Sequence, residues 1–257
     1  MGNLINLENI IILMDIPLYF YLAYRDMDRL SPGSENTTLE VLNQLDIDED
    51  DELNILDIAC GVGSSTILLA DYFKNSVVEA FDLFGHYVNA LDEKITENSM
   101  SERVYAYQMD MNDPDFANEE FDIVFCESSI EIIGFTKGLS EWKRLLKHGG
   151  YMIVSDVTWL KKPSPESRIF WKNTYSEIDT IENKIRKIRN LGYEFCSYFI
   201  VPESDWKSYH KKLDKNLNAL SCDKSAGDFV SQLKKEINVY LRNSDDYSYV
   251  FYVMKKI

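Results

Sequence analysis

The sequence predicts an α/β protein built on a doubly wound, mostly parallel, seven-stranded sheet. Three observations predict it. Apolar runs of strand length alternate with helical-period segments from residue 53 to residue 160. These strands repeatedly end in an acid, at Asp57, Asp82, Asp110 and Glu127. The first of them, in "NILDIACGVGSSTILLA" (54–70), runs through two glycines straight into a helix, the kind of loop that holds a nucleotide-like ligand.

Along the chain, residues 4–30 read as one or two helices, the second ending near Arg29 before the turn signal "SPGS". "TTLEVLNQL" has helical spacing, and "DIDEDDE" (46–52) is a solvated acidic loop. "ELNILDIA" is the first strand, and "SSTILLADYF" a helix with serine as its cap. "SVVEAFD", "RVYAYQMD", "FDIVFCES" and "GYMIVSDVTW" are the next four strands, with a helix through "YVNALDEKITENS" after the second. "GLSEWKRLLKHGG" predicts a helix stopped by its glycines, with His148 at the helix end. A long helical stretch over 166–190 leads to "GYEFCSYFIVPE", the sixth strand; residues 205–243 are helical in pattern, and "YSYVFYVMKK" is the last strand.

The chain has 257 residues, 45% apolar and 13% aromatic, which suits one well-cored domain. Its net charge is −16, so nucleic acid and anionic membrane surfaces are disfavoured partners. The charge is uneven: residues 161–257 hold 18 Lys and Arg against 13 Asp and Glu (net +5), leaving 9 against 30 (net −21) in residues 1–160. Four scattered cysteines (Cys60, Cys126, Cys196 and Cys222) form no CxxC pair, which predicts a reduced, cytoplasmic protein. The first basic residue is Arg25, which argues against a secretory leader. The apolar run "IIILMDIPLYFYLAY" is broken by Asp15 and Pro17, which argues against a membrane span.

Two ligands compete for the glycine loop. The dinucleotide fingerprint G-x-G-x-x-G is incomplete, with Thr66 in place of the third glycine. In a doubly wound sheet the four strand-end acids gather at one crevice, where a pyrophosphate meets negative charge and finds no base in the loop. S-adenosylmethionine carries an ammonium, a sulfonium and one carboxylate, and its ribose diol still needs an acid. Such a nest of carboxylates favours it.

These residues resemble the class I S-adenosylmethionine-dependent methyltransferases. "DIACGVG" looks like their first motif, with Asp57, Ala59, Cys60, Gly61 and Gly63. The resemblance implies that Asp82 accepts both ribose hydroxyls, that Leu83 lies beside the adenine, that Asp110 and Met111 meet the adenine amine and ring, and that Glu127 lies near the methionine end. "RLSPGSENTTLEVL", "IEIIGFTKGLSEWKRLLKHGGYMIVSDVTWL" and the segment from "FWKNTYSEIDTI" to "PESDW" narrow it to a UbiE-like small-molecule group. That group often has tyrosine and asparagine where this chain has Glu131 and Ile132, so the substrate is not inherited with the fold. The implied architecture is a single methyltransferase domain over 1–257, with an N-terminal helical cover (1–45) and a helical insertion over the substrate pocket (205–243).

Glu131 and His210 are the candidates for a general base. Tyr24, Arg29, Trp159, Trp206 and Tyr209 are candidates for contact with a small-molecule substrate, aromatic faces being attractive to cations. Asp156 is available to a metal, but no Cys/His cluster has zinc spacing, and no metal is expected. In-line methyl transfer to a small molecule is the favoured function. Methylation of a protein, and a non-catalytic cofactor-binding module of the same fold, stay open as alternatives, and the sequence leaves the oligomeric state undetermined.

Overall fold

The computed structural model of the protein describes residues 17–221 and 224–257. Most of the N-terminal apolar run, including Asp15, and Cys222 lie outside the described residues.

The elements run in the order α1 (Leu18–Tyr24), α2 (Glu35–Leu42), β1 (Asn54–Ile58), α3 (Ser64–Tyr72), β2 (Val77–Asp82), α4 (Gly85–Glu97), β3 (Val104–Gln108) and β4 (Phe121–Cys126), and then continue with α5 (Phe135–Trp142) and β5 (Leu146–Trp159). They go on through α6 (Pro165–Thr174), β6 (Asp179–Thr180), α7 (Ile181–Asn190), β7 (Tyr193–Ile200), α8 (Glu203–Leu220), α9 (Gly227–Arg242) and β8 (Tyr247–Lys256). The sheet order is β3-β2-β1-β4-β5-β8-β7, with the two-residue β6 beside the end of β5. β1 to β5 pair in parallel, and β8 is antiparallel to both its neighbours. The strand order reverses between β1 and β4, and in open sheets a crevice for ligand opens at such a switch point.

The central strands are buried on both faces. Ile55, Leu56, Ile123, Val124, Ile153 and Val154 have no exposed surface, and they divide between the two apolar clusters on either side of the sheet. A third cluster joins α1, α8 and α9 through Ala23, Met27, Leu213, Leu217, Val230 and Ile237.

Four local expectations are corrected. The first described helix ends at Tyr24, well before Arg29. The cap of α3 is Gly63, left-handed at φ +80°, not a serine; Ser64 and Ser65 are thereby free to bond elsewhere. The helix expected to stop at glycines ends at Trp142, and its glycines belong to β5, where the register with β4 shifts between Phe121 and Ile123. There Gly149 has φ +80°, a Cβ on Gly150 would lie 2.9 Å from the Asp122 carbonyl, and His148 sits in a strand instead of at a helix end. The stretch 166–190 is two helices, because Asp179 and Thr180 pair with β5 and the Thr180 hydroxyl caps α7 by accepting from the Asn183 amide.

Candidate active site

At the carboxyl ends of β1, β2 and β4 lies a cleft of about 430 Å³. Asp57, Asp82, Asp110 and Glu127 all line it, as do Ala59, Cys60, Gly61, Leu83 and Met111. Gly63 is the one expected cofactor residue outside the lining. Its place is structural: a Cβ there would stand 2.3 Å from Leu91 Cδ1.

The backbone at the cleft is unusual where the strands end. Ala59 (φ +57°) after β1 and Ser128 (φ +53°) after β4 are non-glycine residues in left-handed conformation, and Gly61 (φ +53°) shares it. For the two residues that carry a Cβ, such a conformation is held against a cost of about 1–3 kcal/mol each, and such residues cluster at functional sites. Two contacts fix the loop. Asp82 Oδ2 accepts from the Gly61 amide (3.0 Å) and Oδ1 from the Phe84 amide (3.0 Å), leaving further lone pairs toward the cleft. Thr66, where the dinucleotide fingerprint has glycine, donates its hydroxyl to Asp57 Oδ2 at 2.6 Å, with both side chains buried.

Burial raises Asp57 to about 7, opposed by the Thr66 hydrogen bond and reinforced by Glu127. Asp82 is also raised by burial. Asp110 is fully exposed, and hydrogen bonds from Asn112 lower it. Burial pushes the Cys60 thiol well up.

Among the described residues the only base lining the cleft is Arg29, and it is engaged. Its Nη1 donates to Glu127 Oε2 (2.6 Å) and Ser65 Oγ (3.1 Å), and its Nη2 to Thr38 Oγ1 (3.2 Å). Ser65 Oγ also donates to Glu127 Oε2 at 2.6 Å, whereas Glu127 Oε1 is buried with no partner, an acceptor available to a ligand's donor. The cleft thus presents five carboxylates, Asp28 included, against one neutralised guanidinium. That charge favours a cation and disfavours a pyrophosphate.

Glu131 lies in the turn after β4, between the cleft-lining Ser129 and Ile132. Its Oε1 accepts from the Tyr249 hydroxyl at 2.7 Å, its Oε2 is buried without a partner, and burial, helped by the charge of Asp156, raises it to about 7. Asp156 is no free metal ligand: it pairs with the fully buried Lys184 and accepts from the Tyr175 hydroxyl at 3.0 Å. The break between α6 and α7 is what brings Tyr175 and Lys184 to the same carboxylate.

Three sequence expectations are corrected here. His210 is not on the cleft. It is 3% exposed, with Trp206, Tyr209 and Tyr240 ring centroids 5.1–5.4 Å away, and burial lowers it to about 4, so it is neutral and a poor base near neutrality. Trp206 offers no face to a substrate: Tyr240 stacks on it at 4.3 Å, Tyr249 at 5.5 Å, and its Nε1 donates to Ser248. Trp159, half-buried, meets Tyr247 edge-on and is not in the cleft lining. Tyr24 and Tyr209 stand side by side where α1 meets α8. Sequence reasoning missed Tyr249, Lys184, Ser65 and Thr38. Each matters through a partner more than 20 residues away or in a different element, except that the i+9 spacing from Arg29 to Thr38 offered a weak local hint.

Comparison with known proteins agrees with this geometry. Residues 55–150 match a family described as "Methyltransferase domain". The chain is 25% identical over 210 residues to phosphoethanolamine N-methyltransferase 3 of Arabidopsis thaliana, covering 80% of this chain and 40% of that protein. It is 29% identical over 105 residues to a demethylmenaquinone methyltransferase of Bacteroides fragilis, covering 40% of this chain and 43% of that protein. The chain therefore spans about two fifths of the length of the curated relatives it matches. A solved structure of an S-adenosylmethionine-dependent methyltransferase from Thiobacillus denitrificans, in complex with S-adenosyl-L-homocysteine, superimposes with a TM-score of 0.80 at 18% identity, covering 95% of this chain and all of that one. Residues 55–150 thus match a methyltransferase domain, and the chain as a whole shares the fold of that solved S-adenosylmethionine-dependent methyltransferase.

Proposed function

We propose that the protein transfers a methyl group from S-adenosylmethionine to a small-molecule acceptor. The observation that carries this reading is the cleft ringed by Asp57, Asp82, Asp110 and Glu127, with the one base among its described residues already paired. The residues present fit the donor: Asp82 has lone pairs left for a ribose diol, Leu83 and Met111 offer apolar surface to an adenine, and the orphaned Glu127 Oε1 suits an ammonium. When bound, the donor supplies an electrophilic methyl on a sulfonium. The chain's own part is to align the acceptor with it and exclude water, effects together worth up to about 7–11 kcal/mol in ideal cases.

Glu131 is the base in this reading. Raised to about 7 and buried beside the cleft, it can take a proton from an acceptor that carries one, with Tyr249 holding the carboxylate in place. In this reading the described part of the N-terminal segment and helices α8 and α9, which pack together in one apolar cluster, serve as the cover that favours a small acceptor over a protein chain. The unpaired thiols of Cys60, Cys126 and Cys196 support a reducing, cytoplasmic setting. Among the described residues no helix is long and apolar enough to cross a membrane.

Isothermal titration tests the assignment. Adenosylmethionine and adenosylhomocysteine are expected to bind, and Asp82→Ala to weaken both about tenfold or more by removing the ribose acceptor and the anchor of the Gly61 amide. Binding of NADH instead, with cofactor affinity untouched by the substitution, overturns it.

A further inference from the structure

A second cavity, of about 490 Å³, adjoins the cleft and shares Asp28, Arg29, Ser31 and Ser64 with it. None of the strand-end acids Asp57, Asp82, Asp110 and Glu127 lines this cavity, nor does any residue of the turn that carries Glu131. Its walls come from α2, α3, α4 and α8 and from the segment between α1 and α2. On α3 the lining residues Ser64, Ile67, Leu68 and Asp71 recur at helical spacing, so one face of that helix looks into the cavity.

Positive charge collects at one end of that face. Lys94 Nζ on α4 donates to Ser64 Oγ at 3.3 Å, and Ser64 Oγ donates to the Asp28 carbonyl. Lys212 on α8 reaches the Asp28 carboxylate at 2.8 Å, and Arg29 is the next residue in the chain. The counter-charges are unequal. Arg29 is neutralised by Glu127 and Lys212 by Asp28, whereas the half-buried Lys94 makes no ion pair among the described residues. Glu35 and Asp71, the other carboxylates of the lining, are exposed to water. Asp71 also stands about 10 Å along the α3 axis from Ser64, at a rise of about 1.5 Å per residue. Between them Ile67 and Leu68 make that wall apolar.

We infer that this cavity is a second ligand site and takes an alkyl carboxylate, its head on Lys94 and its chain along Ile67 and Leu68. A carboxylate there gains a charge-assisted hydrogen bond from an ammonium that has only a hydroxyl for partner, and partial burial strengthens the attraction. An alcohol of the same length gains the apolar wall without the charge. An alkylammonium meets Lys94 and Lys212 where the one carboxylate, Asp28, is already paired. The site is separate from the acceptor's reacting position in the reading above, because Glu131 lies outside its lining, and it does not depend on that reading.

Octanoate, 1-octanol and octylammonium probe the site directly. Each is titrated calorimetrically into the protein, with and without adenosylhomocysteine. Octanoate is expected to bind about tenfold tighter than 1-octanol, octylammonium no tighter than 1-octanol, and adenosylhomocysteine to stay bound throughout. Lys94→Met, which keeps an unbranched apolar stem, is expected to bring octanoate down to the affinity of 1-octanol and to leave 1-octanol binding unchanged. A measurement on the wild type needs no variant to fold. Octanoate at about ten times its Kd is expected to slow modification of Lys94 by an amine-reactive ester about tenfold, read by peptide mass spectrometry. Equal affinities for octanoate and 1-octanol, a preference for octylammonium, or an unprotected Lys94 overturns the site. Displacement of adenosylhomocysteine by octanoate also overturns it, because the anion then occupies the cleft instead.

Discussion

Asp57, Glu131 and Glu236 are each raised by burial to about 7, and this gives the protein a definite response to pH. A carboxyl whose pKa is higher folded than unfolded binds more protons in the native state between the two values. Its stability contribution is therefore full below the unfolded value and lost as pH rises to about 7. His210, lowered to about 4, acts in the opposite sense: its contribution is full above its ordinary value of 6.5 and lost as pH falls toward 4. Comparison of a variant with wild type separates the two. The melting temperature of Glu236→Gln relative to wild type is expected to climb as pH is raised from about 4.5 to about 7. A difference that instead moves downward over that range would show a Glu236 carboxylate stabilised by a cationic neighbour. Thr66 is the other informative residue. Thr66→Val keeps the shape but leaves buried Asp57 without its donor, an expected loss of about 1–3 kcal/mol in urea unfolding.

At the scale of elements, the β1–α3 junction sets the site. Gly63 is required twice over, by φ +80° and by the 2.3 Å approach that a Cβ would make to Leu91 on α4. Gly63→Ala is expected to destabilise the protein by about 1–3 kcal/mol and to weaken adenosylhomocysteine binding, because the shift passes to the neighbouring Gly61. Unfolding curves and titration on the same preparation check both. This junction was legible in the sequence because the strand, the glycines and the helix are contiguous, so local sterics decide it. The β4–β5 region was not. There "LKHGG" is a helix-stop pattern locally, yet pairing of Leu146 with Phe121 draws the segment into the sheet and puts the glycines in an irregular stretch of strand. The break at 175–180 was hidden for the same reason: helical spacing continues in the sequence, but pairing of Asp179 with Thr158 interrupts it.

For the whole molecule, Arg29 ties the segment after α1 to the sheet. Its guanidinium reaches Glu127 after β4, Ser65 on α3 and Thr38 on α2, and it is largely shielded from water. Removing one partner of a buried, hydrogen-bonded ion pair typically costs about 3–5 kcal/mol, so Arg29→Ala is expected to lower stability by about 3 kcal/mol. It should also speed tryptic cleavage at Arg25, because the polar contacts then left to the same segment come from α8, by Lys212 on Asp28 and by Asn216 on the Ala23 and Arg25 carbonyls, and from α3, by Ser64 on the Asp28 carbonyl. Cleavage at the wild-type rate would mean that these contacts hold the segment without Arg29. Arg29 was visible in the sequence as a candidate anchor. Its partner was not, since 98 residues separate it from Glu127 and only the fold brings them within 2.6 Å.

Sequence by itself determined the strand–glycine–helix unit, the acids at the strand ends and the character of the ligand they favour, because these follow from short-range sterics and from a sheet topology that collects strand ends on one edge. Tertiary structure alone decided which side chains were already taken. It enclosed Trp206 and His210 in rings, gave Asp156 to Lys184, and left Glu131 and Glu236 short of a counter-charge. Burial and pairing are properties of a neighbourhood, and neighbours distant in the chain cannot be read from spacing.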